Sequence, residues 1–243
     1  MRALLATWHL VRLVPHVLHG LWIVKRRFEL LTSADRHGLI QWWSVKTLRI
    51  LGITLKADGA ALPEGHLLVA NHVSWLDIAA VHAVLPQARF VSKSDVKDWP
   101  LVGALVEGAG TLFIERTSKR DALRVVHQTA AALQAGDCVA VFPEGTTGAG
   151  PELLPFHANL LQAAVSTGAP VLPLVLRWHE PGERFSSSAR FIGDTTLVQS
   201  LWRIASARGL GIEVHVLPSV MTEGQDRRAL GDSLRREISA RLS

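Results

Sequence analysis

The chain has 243 residues, with 26 Lys and Arg against 21 Asp and Glu, for a formal net charge of +5. Apolar residues make up 48% and charged ones 19%, with a mean hydropathy of +0.22, a balance that excludes a disordered chain and favours membrane contact. A single cysteine, Cys138, excludes an internal disulfide and a cysteine-rich metal site, while the positive charge suits an anionic partner: lipid headgroup, nucleic acid or phosphorylated substrate.

Residues 3–24 are apolar on average, but Arg2, His9, Arg12, His16 and His19 recur at spacings that place them on one stripe of a helix. These interruptions argue against a spanning helix, which needs ~20 predominantly apolar residues, and against a signal peptide. A thin polar stripe opposite Leu4, Leu5, Trp8, Val11, Val14, Leu18 and Trp22, followed by Lys25, Arg26 and Arg27, predicts a helix lying in one leaflet and kinked at Pro15. The alternative is a helix packed on its own domain. Four of the eight Trp residues (Trp8, Trp22, Trp42 and Trp43) fall in the first 43 residues, as an interfacial belt would place them, although core packing accounts for them equally well. His16 and His19 as metal ligands lack a nearby carboxylate or thiol, and no metal is expected.

A second helix is predicted over 36–51. Short apolar runs then alternate with helix-period segments: strands at 66–70, 90–92, 111–113, 138–142, 171–176, 189–192 and 212–217, and helices at 76–85, 119–134, 158–166 and 197–207. Gly136 and Gly168 stand at expected helix C-caps, and 180–188 reads as a polar loop. From Asp226, Leu230, Leu234, Ile238 and Leu242 recur among five arginines, a basic amphipathic helix that packs on the domain. The alternation predicts an α/β fold with a mixed, largely parallel sheet flanked by helices. Two units follow: a helical membrane-association arm over 1–52 and an α/β domain over 53–243.

Three segments carry chemistry, each at a strand end, where open α/β sheets bind ligands. The first is Asn71-His72-Val73-Ser74-Trp75-Leu76-Asp77. In an unbroken helix His72 and Asp77 would point ~140° apart, but a turn ending in Ser74 as N-cap lets Asp77 face back toward His72. Asp77 then holds the Nδ1 proton and leaves Nε2 as a base toward a hydroxyl. The competing reading is a Ser74-x-x-Asp77 capping box, with Asp77 serving only the Ser74 amide. The second segment is Phe142-Pro143-Glu144-Gly145-Thr146-Thr147-Gly148, an anion-binding loop or a plain glycine turn. The third is Gly110-Thr111-Leu112-Phe113-Ile114-Glu115-Arg116, where Arg116 presents a phosphate-binding fork or pairs with Glu115 at the surface. No Gly-x-Ser-x-Gly elbow occurs, so a covalent serine hydrolase lacks its signature.

In order along the chain, these segments and the strand Val171-Leu172-Pro173-Leu174 resemble the four motif blocks of the glycerolipid acyltransferase superfamily, that of 1-acylglycerol-3-phosphate and lysophospholipid acyltransferases. The resemblance implies a membrane-associated enzyme on the cytoplasmic face of the inner membrane, monotopic, with His72 as general base and Asp77 orienting it. It further implies transfer of an acyl group from acyl-CoA or acyl carrier protein to a lysophospholipid hydroxyl, 1-acyl-sn-glycerol-3-phosphate first of all, without metal or cofactor. Lys93, Arg116, Glu144, Gly145 and Thr146 would contact the phosphorylated acceptor. Two departures reduce the positive charge: Thr147 stands where the family commonly has Arg, and His157-Ala158-Asn159 where many relatives have Lys and Gly. They favour an acceptor with less phosphate charge, such as a lyso-ornithine lipid, as the runner-up. A lipid or thioester hydrolase and a non-enzymatic membrane module are the competing classes. Net charge alone favours nucleic acid, and no such partner is expected.

Overall fold

The computed structural model describes residues 2–59, 64–99, 101–114 and 119–243, with the backbone only at 93, 114 and 119–122. Seven strands form one sheet: β1 (Thr54–Asp58), β2 (Leu67–Ala70), β3 (Ala88–Lys93), β4 (Leu112–Ile114), β5 (Cys138–Val141), β6 (Val171–His179) and β7 (Gly211–Val216), in the order β1-β7-β6-β2-β5-β3-β4. Every pairing is parallel except β6 with β7, so the sheet is mixed and largely parallel, as expected.

The central strands β2 and β5 read Leu-Leu-Val-Ala and Cys-Val-Ala-Val and are buried at every position, because helices cover both faces. Leu68 and Ala70 of β2 point into one core with α1 (Arg2–Arg26), α2 (Ser33–Ile50), α3 (Asp77–Val84) and α7 (Leu197–Ser206). Leu67 and Val69 point into the other with α5 (Lys119–Gln134), α6 (Gln162–Thr167) and α8 (Arg227–Leu242). The tail helix α8 buries Leu230, Leu234, Ile238 and Leu242, so its four-residue apolar repeat is spent on the domain.

Two expectations need correction, and two elements were not foreseen. Residues 189–192 are not a strand: Ala189 is buried, but this apolar stretch crosses the strand ends, where the Phe191 amide donates to the Val73 carbonyl at 3.0 Å. β1 was not predicted, because Thr-Leu-Lys-Ala-Asp is a largely exposed edge strand with no apolar run, and neither was α4 (Val102–Gly108), which packs against α1. The helix expected over 158–166 splits into a 3₁₀ turn, Ala158–Leu161, and α6, which ends at Gly168 with φ +69°.

The amino-terminal helix differs most from expectation. α1 runs without a break through Pro15 and packs on α7, α2 and α4 through Ala6, His9, Leu13, His16, Gly20 and Ile23. The polar stripe therefore divides. His9 and His16 turn into the protein, where Nδ1 of His9 lies 2.9 Å from the Ala205 carbonyl and Nε2 of His16 lies 3.1 Å from both the Trp43 carbonyl and the Thr47 hydroxyl. Burial lowers the His16 pKa, as it penalises the cation. Arg12 and His19 remain exposed. Leu4, Trp8, Val11, Val14, Leu18 and Trp22 face outward and are each more than half exposed. One side of the helix is thus packed on the protein, and the other presents an uncovered apolar surface. Among the described residues no helix is long and apolar enough to cross a membrane.

Candidate active site

The chain leaves β2 through α3 on one face of the sheet, while adjacent β5 leads to α6 on the other. Connections that diverge in this way open a crevice at the carboxyl ends of the two strands. The segment containing His72 follows β2 and the segment containing Glu144 follows β5, so topology alone brings them together.

Asn71 fixes the exit from β2. Its buried amide accepts from the Leu176 N–H at 2.8 Å and donates to the Leu176 carbonyl at 2.9 Å, acting as a surrogate strand residue across to β6. The turn that follows places the His72 Nδ1 2.8 Å from Asp77 Oδ2. That oxygen also accepts the Val73 and Ser74 amides at 2.7 and 2.9 Å, and Oδ1 accepts Trp178 Nε1–H at 2.6 Å. Asp77 is fully buried, and four N–H donors converge on it. One carboxylate therefore takes the Ser74 amide and also holds the imidazole, without the reciprocal bond from the Ser74 hydroxyl that a capping box requires. Ser74 is not the final cap, since α3 begins at Asp77 itself.

The His72 ring stacks on Phe142 with centroids 3.9 Å apart and planes 7° from parallel, and its side chain is 18% exposed. With Nδ1 on Asp77, Nε2 has no protein partner among the described residues. The backbone of His72 is clamped on both sides by the Phe142–Gly148 loop. Its N–H donates to Glu144 Oε1 at 2.8 Å, and its carbonyl accepts from the Gly148 N–H at 2.7 Å. Glu144 Oε2 accepts the Leu154 amide, also at 2.8 Å. Burial raises the Glu144 pKa, an effect that the Leu154 and His72 amides oppose.

Gly145 closes a turn with its N–H 3.0 Å from the Phe142 carbonyl, at φ +71°, where a side chain would be strained. Thr146 is exposed, and the Thr147 hydroxyl donates to the Phe191 carbonyl. Lys93 is the last residue of β3, on the strand beside β5, and its side chain is not described. Arg116 lies outside the described residues. The structure thus brings His72, Asp77, Glu144, Gly145 and Thr146 to one crevice. Sequence reasoning missed Trp178, because a tryptophan on a strand 101 residues from Asp77 gives no local signal of that contact.

Comparison with known proteins agrees with this architecture. Residues 56–177 match the family model described as Acyltransferase. A 1-acyl-sn-glycerol-3-phosphate acyltransferase of Neisseria gonorrhoeae is 40% identical over 192 residues, spanning 78% of this chain and 74% of its own. A lyso-ornithine lipid O-acyltransferase of Pseudomonas aeruginosa is 35% identical over 225 residues, spanning 91% and 85%. The fold matches the crystal structure of the 1-acyl-sn-glycerophosphate acyltransferase PlsC from Thermotoga maritima with a TM-score of 0.75 at 20% identity, over 100% of this chain and 96% of that one. Fold, site and relatives together define an α/β enzyme of acyl transfer. The chain belongs to the lysolipid acyltransferase family and is an acyltransferase.

Proposed function

We propose that the protein transfers a fatty acyl group from an acyl thioester, acyl-CoA or acyl carrier protein, to the free hydroxyl of 1-acyl-sn-glycerol-3-phosphate, giving phosphatidic acid. The observation that carries this reading is the His72–Asp77 pair: Nδ1 is held at 2.8 Å and Nε2 is left to a substrate. Nε2 takes the hydroxyl proton as the oxygen attacks the thioester carbonyl. The C–O bond forms, the C–S bond breaks, and the imidazolium returns its proton to the leaving thiolate. Asp77 stays anionic throughout and stabilises the imidazolium. His72 and Asp77 supply this proton chemistry without a metal or cofactor. Lys93, Arg116, Gly145 and Thr146 are assigned to the acceptor, and residues 1–52 to membrane association on the cytoplasmic face, with the outward apolar side of α1 in the leaflet.

Glu144 is assigned a different part from the one that the resemblance implies. Both of its oxygens serve backbone amides, those of His72 and Leu154, so we read it as a positioning residue for His72 rather than an acceptor ligand. Glu144→Gln turns an NH₂ toward one of these two donors and loosens the clamp. Misplacing the base costs roughly 10- to 100-fold in kcat, with KM for the acceptor little changed. Steady-state titration of both substrates measures the split; a rise in acceptor KM alone would return Glu144 to the acceptor.

One observation favours a second acceptor. Thr147, where the family commonly has Arg, spends its hydroxyl on the Phe191 carbonyl and supplies no cation. Together with the extent of the match to the Pseudomonas relative, this supports a lyso-ornithine lipid as the alternative acceptor. Assaying the purified full chain against a panel of lysolipids, with labelled acyl-CoA and acyl carrier protein, tests both readings. The first expects highest kcat/KM with 1-acyl-sn-glycerol-3-phosphate. Thr147→Arg is expected to raise that preference further, by roughly tenfold for one added charge-assisted contact. An unchanged preference would show that charge at this position does not govern acceptor choice.

A further inference from the structure

The outer side of α7 is apolar and uncovered: Val198 is 77% and Trp202 45% exposed, and Ile192, just ahead of the helix, is 40% exposed. Val198 and Trp202 share a shallow groove with Thr195, Gln199 and Arg203. α7 packs beside α1, tied to it by the contact of His9 Nδ1 with the Ala205 carbonyl, and the two helices belong to the same face of the sheet. Among the described residues, exposure of large hydrophobic side chains is one-sided. Apart from Leu123 and Met221, the strongly exposed ones lie on α1, α2 and α7 or in the short stretches next to α1, α4 and α7. On the opposite face α8 shows Arg228, Asp232, Arg235 and Arg236.

The charge on these two helices has one sign, while Glu29, Asp35 and Asp194 stand exposed beside them. Neither α1 nor α7 contains an Asp or Glu, whereas Arg2, Arg12, Lys25 and Arg26 on α1 and Arg203 on α7 are exposed. Arg12 lies over the Trp8 ring at 5.4 Å, and Lys46 of α2 over Trp42 at 4.6 Å, pairings in which a cation flanks an aromatic as at a headgroup boundary. An apolar surface spread over adjacent helices and edged by cations matches an anionic leaflet better than the acidic surface of a soluble carrier.

α7 is also bonded to the catalytic loop. Trp75, between His72 and Asp77, donates its Nε1–H to Ser200 Oγ at 3.1 Å. The stretch leading into α7 contributes the Phe191 amide to the Val73 carbonyl and accepts the Thr147 hydroxyl. We propose that α7 is a second membrane contact, which with α1 seats the enzyme on an anionic leaflet and, through Trp75–Ser200 and Phe191–Val73, holds His72 at headgroup level. This rests on the leaflet reading of α1.

The test uses the full chain with spin labels at Val198→Cys and, as an opposite-face control, Ala240→Cys. Cys138 is buried and labels poorly by comparison. With vesicles of phosphatidylethanolamine containing phosphatidylglycerol, the label at 198 should gain collisions with oxygen and lose those with a polar relaxant, while the label at 240 stays in water. Trp202→Glu should weaken vesicle partitioning by roughly tenfold, with an unchanged melting temperature, through loss of apolar burial and added repulsion. Trp8→Glu on α1 separates the two claims. If it weakens binding while Trp202→Glu binds as wild type and the label at 198 stays wet, the α7 proposal is overturned and the α1 reading survives. Should neither variant weaken binding, both fall. An effect of Trp202→Glu confined to the apparent affinity for acyl carrier protein would assign the surface to the donor and overturn the proposal equally.

Discussion

His72→Ala is expected to lower kcat by about 10³-fold, within the range for loss of a general base, while substrate affinity and folding stay near wild type. The reasoning is local. Among the described residues the imidazole makes one hydrogen bond, to Asp77, and one stacking contact, with Phe142. Removing it leaves Asp77 with the Val73 and Ser74 amides and the Trp178 indole, so the buried carboxylate keeps three donors and the turn holds. The backbone clamp from Glu144 and Gly148 does not involve the ring at all. On the proposed mechanism, what disappears is the group that accepts the hydroxyl proton as the C–O bond forms, a transition-state term that appears in kcat. Initial rates across both substrate concentrations, with a thermal melt of the same preparation, provide the measurement. Turnover above a tenth of wild type would end the assignment of His72 as base.

Asp77→Asn is expected to be nearly as damaging, with kcat reduced by about 10²- to 10⁴-fold, and unlike His72→Ala it should also lower stability. Four N–H groups point at the Asp77 carboxylate, three at Oδ2 and one at Oδ1. An amide offers one oxygen. With that oxygen toward His72, Val73 and Ser74, its NH₂ meets the Trp178 indole N–H; flipped, it meets all three others. Either arrangement leaves a buried donor unsatisfied, at a cost of about 1–3 kcal/mol. The lost negative charge removes support for the imidazolium in either case. Rates corrected for the folded fraction separate the two roles: a variant that melts early but turns over normally when folded would show that Asp77 serves only as the cap of the Ser74 turn.

Much of this was legible in residue order. The alternation of buried apolar runs with helix-period segments predicts a largely parallel α/β sheet, because strands covered on both faces must be continuously apolar. Strand-end placement of His72 and Glu144 follows from the same runs, and the residues of the four motif blocks, in order, carry the resemblance to the family. Elements without an apolar signature were not legible. β1 is a polar edge strand, and the apolar run 189–192 belongs to a loop that closes over the strand ends.

The tertiary structure decided matters that depend on which surfaces meet. Periodicity could define two sides of α1 but not which faced the protein, because two buried histidines look polar until the Ala205 carbonyl and Thr47 supply their partners. Asp77 could serve the Ser74 amide or His72 on local grounds; the folded turn gives both to its Oδ2, and the distant Trp178 takes Oδ1. Residue order offered Glu144 only as a strand-end carboxylate, and it is the tertiary structure that brings the His72 N–H, from another strand, to within 2.8 Å of its Oε1. Spacing along the chain fixes direction within one element, whereas hydrogen-bond partners from separate elements are set only when the sheet order places β2 beside β5 and β6.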